Sequence, residues 1–207
     1  QQNGLNSFKV TASDSLYTTY QEFSIFVNDT PNIISTDSLS ILVGDTLTHL
    51  FDSKDLNRDS QLIYSIKTTI DELIFRGSAG SLTWIPTIND IGLHTLEISV
   101  SDGFNSSVDT QKLKIFVYDL PKFLNAPATD GFVGMEYLYQ PQASDMFNKS
   151  EINKDVFISY LSSIPDNSAQ FDSINNQFTW LPTMNEIGEY KLEFAVQDIY
   201  NHRKIES

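Results

Sequence analysis

The sequence predicts an all-β protein made of β-sandwich units in series. Residues 82–92 (LTWIPTINDIG) and 178–188 (FTWLPTMNEIG) are two copies of one motif, and each is followed by a strand-like segment that ends at an Asp. The strand-like segment, together with the Gly before it, occurs a third time at the start of the chain, in residues 4–14 (GLNSFKVTASD). The copies indicate a tandem repeat with a period of roughly 90 to 96 residues, the size of a β-sandwich with its own core.

The phase of the apolar residues is the same in all three copies. The Gly stands ten residues before the Asp, and apolar residues stand two, four and six positions before that Asp: Ala12, Val10 and Phe8; Val100, Ile98 and Leu96; Val196, Phe194 and Leu192. A period of two is typical of a strand with one buried face. We therefore predict a strand with one apolar face in each copy.

Residues 1–30 are predicted to be the last two strands of a preceding repeat. Apolar residues alternate with polar ones around 8–12 and again around 23–27, with a polar turn between them. Two strands alone are marginally stable in water. We therefore expect this hairpin to pack on its neighbour or on another part of a longer polypeptide, of which this chain is a piece.

Residues 31–120 are predicted to form one complete repeat. The motif Val-x-Asp-x-Pro marks its two borders, at 27–31 and 117–121, and the Pro ends the preceding strand because it lacks a backbone donor. Val43-Gly44 predicts a bend, as Val133-Gly134 does in the next repeat. After a first strand, six more strands are predicted at 46–51, 62–66, 72–76, 82–84, 93–101 and 111–117. Seven strands of this kind predict a seven-strand sandwich.

Residues 121–207 are predicted to form a second repeat that lacks its complete last strand. It has about six extra residues between its second and third strands, around Met146, Phe147 and Ile152. This insertion is the one place where the sequence hints at a binding surface that unit two has and unit one lacks.

The motifs resemble a known group of modules. Unit one combines Val-Gly near its start, Asp-x-Asn-x-Asp before Leu-x-Tyr, Trp-x-Pro-Thr, and a strand between Gly and Asp-Gly. This pattern resembles cadherin-like, dystroglycan-type repeats and the Ig-like repeats of bacterial surface proteins. The resemblance implies tandem Ig-like/cadherin-like sandwiches that are secreted to the cell surface, with a spacer or adhesive role and no catalysis. Unit two departs from the pattern in its insertion and lacks the Gly after Asp198.

Acidic turn residues make Ca²⁺ the one cofactor that the sequence suggests. In a seven-strand sandwich the incoming linker, the loop after the second strand and the turn before the last strand lie at one end. Ca²⁺ prefers six to eight oxygen ligands. The predicted ligands are Asn28 and Asp29 in the linker, Asp55, Asn57 and Asp59 in the loop, and Asp102 in the turn. The arrangement is similar to that of cadherin junctions.

A second junction would use Asp119, Asp145, Asn148 and Asp198, with Asp90 contributed from unit one. The alternative interpretation is that all these Asp and Asn residues only form turns, because their side chains bond readily to nearby backbone.

The positions of the tryptophans and of His94 in the repeat indicate packing roles. Trp84 and Trp180 occupy the same position before Pro, which predicts core packing rather than sugar-binding platforms. His94 takes the place of Tyr190 and is predicted to face inward. The aromatic residues expected on the surface are Tyr17, Tyr20, Phe104, Tyr118, Tyr137 and Tyr139. The three histidines, His49, His94 and His202, show no catalytic or metal-ligand spacing, so we predict no enzyme.

Composition limits the partners. The 207 residues are 40% hydrophobic and 12% aromatic, as in globular proteins, and the net charge of −14 disfavours nucleic acid and anionic membranes. There is no cysteine, and no apolar run approaches the ~18 residues that span a bilayer.

Three roles follow from the sequence. The first is a structural stalk, filament or adhesive segment whose partners are neighbouring repeats or further copies of itself. The second is a module that binds a glycan or a protein, and the third is a subunit that polymerises by strand donation through open sheet edges.

Overall fold

The computed structural model describes residues 4–57, 61–104, 107–145, 151–162, 164 and 168–207. The chain divides into two compact units, Gln1–Val117 and Tyr118–Ser207. In the described residues, regular structure consists of strands and of short 3-10 turns at Ile88–Asp90 and Met184–Glu186. None of the described helical segments has the length and apolar character needed to cross a membrane.

The chain begins with a hairpin of β1 (Gly4–Ser13) and β2 (Thr18–Val27). Its ten antiparallel pairs run from Gly4 opposite Val27 to Ser13 opposite Thr18. The turn is closed by Asp14, whose Oδ1 accepts hydrogen bonds from the backbone N of Leu16 and Tyr17 at 2.7 and 2.6 Å. The strands are longer than predicted because pairing continues past the alternating apolar residues.

The first sandwich packs a four-stranded sheet against a three-stranded one. The strands in chain order are β3 (Asn32–Ile33), β4 (Ser38–Leu42), β5 (Leu47–Leu50), β6 (Ser53–Lys54), β7 (Ile63–Lys67), β8 (Ile74–Arg76), β9 (Ser81–Trp84), β10 (Gly92–Ser101) and β11 (Val108–Tyr118). One sheet has the order β4-β11-β10-β7 and the other β5-β9-β8, while β3 pairs with β6. Their inner faces share one core, which includes Leu82, Trp84, Ile98 and Ile115.

The second unit contains β12 (Lys122–Phe123), β13 (Tyr137–Tyr139), β14 (Ala143–Ser144), β15 (Val156–Tyr160), β16 (Ala169–Asp172), β17 (Gln177–Trp180), β18 (Phe194–Asp198) and β19 (Arg203–Glu206). The sheets have the orders β13-β17-β16 and β15-β18-β19, and β12 pairs with β14. Phe178, at 0% exposure, lies in the main buried cluster. A smaller cluster surrounds Ala143 and Val196.

Corresponding strands of the two units pair in corresponding registers. Leu47 lies opposite Trp84 in unit one, and Tyr137 lies opposite Trp180 in unit two. The turns match as well. Gly44 N donates to the carbonyl of Pro86, and Gly134 N donates to that of Pro182, both at 2.9 Å. Gly44 and Gly134 have φ values of 83° and 77°, which explains the predicted Val-Gly bends because glycine adopts positive φ without steric cost.

The sequence was wrong about the burial of two tyrosines and about where two strands begin, since β18 begins only at Phe194 and so leaves out Leu192. Tyr137 and Tyr139 were expected on the surface, but they are only 8% and 6% exposed, whereas Leu138 between them is 55% exposed. Both rings pack into the core because their hydroxyls find backbone acceptors, the carbonyls of Ala128 and Asn125. A strand was also expected over 72–76, but β8 begins at Ile74 because Glu72 has a left-handed φ of 61° in the preceding turn.

Candidate functional site

One end of the first unit gathers five of the six residues predicted for the first cation site. Asn28 and Asp29 follow β2, Asp55 and Asn57 follow β6, and Asp102 follows β10. Ser107, which the sequence analysis did not single out, completes the group, which we term the first apex. The sixth predicted residue, Asp59, lies outside the described residues.

Asn28 and Ser107 hold the Asp102 carboxylate. The Asn28 Nδ2 donates to Asp102 Oδ2 at 2.6 Å and lies 3.0 Å from Ser107 Oγ. Ser107 Oγ donates to the same carboxylate oxygen at 2.8 Å and lies 3.2 Å from the carbonyl oxygen of Asp29. Asp102 is 8% exposed and Ser107 5% exposed. The linker after β2 is thereby tied to the turn between β10 and β11.

Asn57 joins the same linker to the loop after β6. Its Oδ1 accepts a hydrogen bond from Asp29 N at 2.5 Å, and its Nδ2 donates to the carbonyl of Val27 at 3.3 Å. Its backbone N donates to Asp55 Oδ1 at 2.8 Å. A stacked ring pair adds to this connection, since the centroids of Phe26 and Phe104 are 5.3 Å apart. Loop, linker and turn thus form one polar network with an aromatic contact beside it.

Hydrogen bonds favour the ionised form of Asp102. Burial by itself would raise its pKa, but the donors on Asn28, Phe104 N and Ser107 outweigh burial and hold the pKa below its ordinary value. The carboxylate therefore stays charged inside the network.

Two buried oxygen atoms of the first apex have no hydrogen-bond partner among the residues that the structure describes: Asn28 Oδ1 and Asp55 Oδ2. Buried acceptors are rarely left unpaired in folded proteins. Carboxylate and amide oxygens are also the ligands that Ca²⁺ prefers. The residues that would hold such an ion are Asn28, Asp29, Asp55 and Asp102. Within the described residues no three His, Cys, Asp or Glu side chains group closely enough to hold a metal, so amide and carbonyl oxygens would have to supply much of the coordination.

The Asp90 carboxylate accepts hydrogen bonds within its own turn. Its Oδ2 accepts hydrogen bonds from the backbone N and the Oγ1 of Thr87, both at 2.7 Å. These bonds, with that of the Thr87 hydroxyl the larger, lower the pKa of Asp90. His94 Nε2 lies 2.6 Å from the Asp90 carbonyl oxygen, and its ring meets Trp84 edge-on at 5.2 Å, so His94 has the predicted packing role.

The predicted ligands of the second junction have local partners in unit two. Asp198 is 1% exposed, and its Oδ1 accepts from the backbone N of Tyr200 and His202 at 2.9 and 2.8 Å. Its Oδ2 lies 2.8 Å from His202 Nδ1. The His202 ring in turn stacks on Tyr118 with centroids 3.8 Å apart. His202 therefore occupies, in unit two, the role that Asn28 and Ser107 share in unit one.

Of the remaining ligands of that set, the structure describes Asp119 and Asp145. Asp119 accepts from Leu120 N at 2.8 Å and lies 3.4 Å from Lys122 Nζ. Asp145 is 2% exposed, and Asn148 lies outside the described residues, as do Met146 and Phe147 of the insertion. His202 and Ser107 were missed because neither belongs to the repeated motif. The Asp-x-x-x-His spacing at 198–202 was the available signal for the first of them.

Both tryptophans are core residues, as predicted. Trp84 is 2% exposed and Trp180 9% exposed. Trp180 Nε1 donates to Ser168 Oγ at 3.0 Å, and that hydroxyl donates to Glu186, which is itself 3% exposed. The rings are thus unsuited to stack on a sugar from solvent.

Comparisons with known proteins agree with this architecture. No family model matches the sequence, and no curated protein matches it. Among solved structures, the Sidekick-1 immunoglobulin domains 1–5 are similar with a TM-score of 0.50 and 12% identity, over 97% of this chain and 45% of that one. Human Protocadherin-24 EC1-2 aligns with a TM-score of 0.44 and 16% identity, over 87% of this chain and 93% of that one.

An endo-fucoidan hydrolase of glycoside hydrolase family 107 aligns with a TM-score of 0.38 and 20% identity over 99% of this chain, which spans only 33% of the hydrolase. At such identities a likeness concerns the fold alone. The chain is an all-β protein whose units have a β-sandwich fold like that of immunoglobulin domains.

Proposed function

We propose that the chain is a non-catalytic spacer or adhesive segment of an extracellular surface protein, stiffened by Ca²⁺ at its first apex. Its natural partners would be neighbouring repeats of the same polypeptide, or further copies in an oligomer or filament. The hairpin of β1 and β2 would be the end of a preceding repeat. The observation that carries the proposal is the first apex, where two unpaired buried oxygens lie within a network that joins the hairpin to the sandwich.

The arrangement suits a mechanical role. The linker after β2 is bonded at Asn28 and Asp29 to both the loop and the turn of the sandwich. An ion coordinated by Asn28 Oδ1 and Asp55 Oδ2 would add a bridge between two segments that are far apart in sequence. Bending at the linker would then have to break both the hydrogen bonds and the coordination.

Calcium binding can be tested by thermal unfolding of the full chain in millimolar CaCl₂ and in excess EDTA. A ligand that binds only the folded state stabilises it by about 1.4 kcal/mol for each tenfold excess over its dissociation constant. We expect the Tm of unit one to rise by several degrees in calcium. The rise should disappear in Asp55→Asn, which keeps the hydrogen-bonding shape of the side chain but loses its charge.

Asp45→Asn is the matched control, because Asp45 is exposed and takes no part in the apex network. That variant should keep the full calcium response. An equal Tm in calcium and EDTA for the unaltered chain would refute the calcium part of the proposal and leave the apex as a set of turn-forming residues.

A further inference from the structure

The sequence Asp-Gly-Phe occurs twice in the chain, at 102–104 and at 130–132. In an Asp-Gly step the backbone nitrogen of Gly can attack the side-chain carboxyl carbon of the preceding Asp, because Gly has no side chain to obstruct the approach. The attack is favoured where the carboxyl group and the nitrogen are both free of other partners. Since the three residues are the same at both places, a difference in reactivity has to come from the fold.

The first step, at Asp102 and Gly103, has its reactive groups engaged. Asp102 Oδ1 accepts a hydrogen bond from Phe104 N at 3.0 Å, and its Oδ2 accepts from two side chains of the first apex. Gly103 N donates to Ser101 Oγ at 3.1 Å. Burial alone would raise the pKa of Asp102, but these donors hold the pKa below its ordinary value and so keep the carboxylate in its less electrophilic, ionised form. The fold therefore protects this step.

The second step, at Asp130 and Gly131, is open. Both residues are exposed, in a stretch over 126–132 that forms neither helix nor strand. Among the described residues, the one hydrogen-bond partner of the Asp130 carboxylate is Thr129, whose Oγ1 donates to Oδ2 at 3.3 Å. Within that same part of the chain, Gly131 N donates to no acceptor. The carboxyl group and the nitrogen are thus both available.

We propose that Asp130–Gly131 is a site of spontaneous covalent modification, at which the backbone rearranges to isoaspartate while Asp102–Gly103 stays intact. The proposal rests on the contrast between the two steps. It depends neither on calcium nor on the proposed function.

The rearrangement needs no reagent other than water. The Gly131 nitrogen forms a bond to Cγ of Asp130, and one carboxyl oxygen leaves as water, taking up the proton of that nitrogen. Water then adds to the main-chain carbonyl carbon of Asp130 in the resulting cyclic imide and breaks its bond to the Gly131 nitrogen. The chain now runs through Cγ, the main-chain carboxyl group is free, and the mass is unchanged.

The product adds one methylene to the backbone between two anchored points of unit two. The hydroxyl of Tyr137 donates to the carbonyl of Ala128 at 2.6 Å, and Gly134 N donates to the carbonyl of Pro182 at 2.9 Å. Tyr137 is a core residue at 8% exposure. The extra length therefore has to be accommodated between residues 128 and 134, beside a core contact.

The test incubates the unaltered chain below its Tm in water labelled with heavy oxygen, with excess EDTA so that calcium does not contribute. Each opening of the imide places one labelled oxygen in the peptide, which mass spectrometry of proteolytic fragments locates. We expect the label to accumulate at Asp130 at least tenfold faster than at Asp102. In concentrated urea the two rates should converge, because the local sequences are the same.

Equal rates at the two steps in the folded chain would overturn the proposal. So would the absence of label at Asp130 under conditions in which the urea sample reacts. A difference that persists unchanged in urea would trace the reactivity to sequence rather than to the fold, and would also overturn it.

Two variants test the chemistry and the protection separately. A Cβ added at Gly131 would lie 3.7 Å from Cδ2 of Tyr137, an ordinary van der Waals distance, so Gly131→Ala should fold and should lower the rate at Asp130 at least tenfold by obstructing the nitrogen. Ser107→Ala removes a donor from Asp102 and should raise the rate there severalfold. Label at Asp130 that is insensitive to Gly131→Ala would contradict attack by that nitrogen, and an unchanged rate at Asp102 in Ser107→Ala would contradict protection by hydrogen bonds.

Discussion

A buried carboxylate at the end of the repeated strand is satisfied in two different ways. Asp102 receives hydrogen bonds from Asn28 and Ser107, whereas Asp198 receives them from its own turn and from His202. The position demands an acceptor that closes the turn, since Oδ1 of Asp102 and of Asp198 both accept from a backbone N two residues later. The partners beyond the turn differ between the units, and in unit one Asn28, which donates to Asp102, has an Oδ1 without a hydrogen-bond partner among the described residues.

The stability of unit one should depend on pH in the acid range. The pKa of Asp102 and that of Asp90 are lower in the folded state than their ordinary values. A carboxylate whose pKa is lower in the folded than in the unfolded state contributes stability that is fully present above its unfolded-state pKa, about 3.9. That stability is lost as the pH falls through the folded-state pKa. We expect urea midpoints of unit one to be level above about pH 5 and to fall below about pH 4.

Asp102→Asn tests the assignment, because it removes the titrating group and keeps an oxygen acceptor. Its urea midpoint should lie below that of the unaltered chain at pH 7, and the difference should narrow towards pH 3. A constant difference across this range would mean that the charge of Asp102 contributes nothing to stability.

At the level of elements, the same strand pattern leads to opposite burial. Gly4 opposite Val27 in the hairpin matches Gly92 opposite Val117 in the sandwich. Ile98 is 0% exposed because the facing sheet covers it, whereas its counterpart Val10 is 57% exposed. Periodicity specifies which face of a strand is apolar, but burial requires a second layer.

This difference predicts the effect of truncating each residue. Ile98→Ala should destabilise unit one by about 2–5 kcal/mol, because it removes buried methyl groups and leaves a cavity. Val10→Ala removes methyl groups that solvent already reaches, so the free energy of unfolding should stay within about 0.5 kcal/mol. Urea unfolding of both variants checks this. Equal losses would mean that the β1 face is covered in solution.

At the scale of the whole molecule, each unit has its own core and a single tryptophan. Trp84 lies in the cluster of unit one and Trp180 in that of unit two. Tryptophan fluorescence can therefore follow each unit separately when the other tryptophan is replaced by Phe.

Core truncations should act on their own unit. In the Trp84→Phe background, Phe178→Ala should lower the Tm reported by Trp180, because Phe178 is fully buried in that core. In the Trp180→Phe background, the same truncation should leave the Tm reported by Trp84 unchanged within error. A parallel fall in both transitions would contradict separate cores.

Much of the fold could be predicted from the sequence. Strand alternation, Val-Gly bends and the shared Trp-x-Pro-Thr motif located the hairpin, most strands and both core tryptophans, because these signals depend on local geometry and on which face of a strand is apolar. The five described members of the first cation set also meet at one apex, because sandwich topology brings linker, loop and turn to the same end. Whether calcium binds there stays a prediction.

The rest depended on contacts between segments distant in sequence. Alternation could not show that Tyr137 and Tyr139 face inward, because tyrosine suits both surface and core and the choice depends on a carbonyl within reach of its hydroxyl. Composition also could not show that the His202 ring contacts the Asp198 carboxylate. The sequence by itself determined where strands run and which of their faces are apolar. Only the tertiary structure decided which of those faces are covered and which carboxylates accept hydrogen bonds from distant donors, because both depend on what lies across the sandwich.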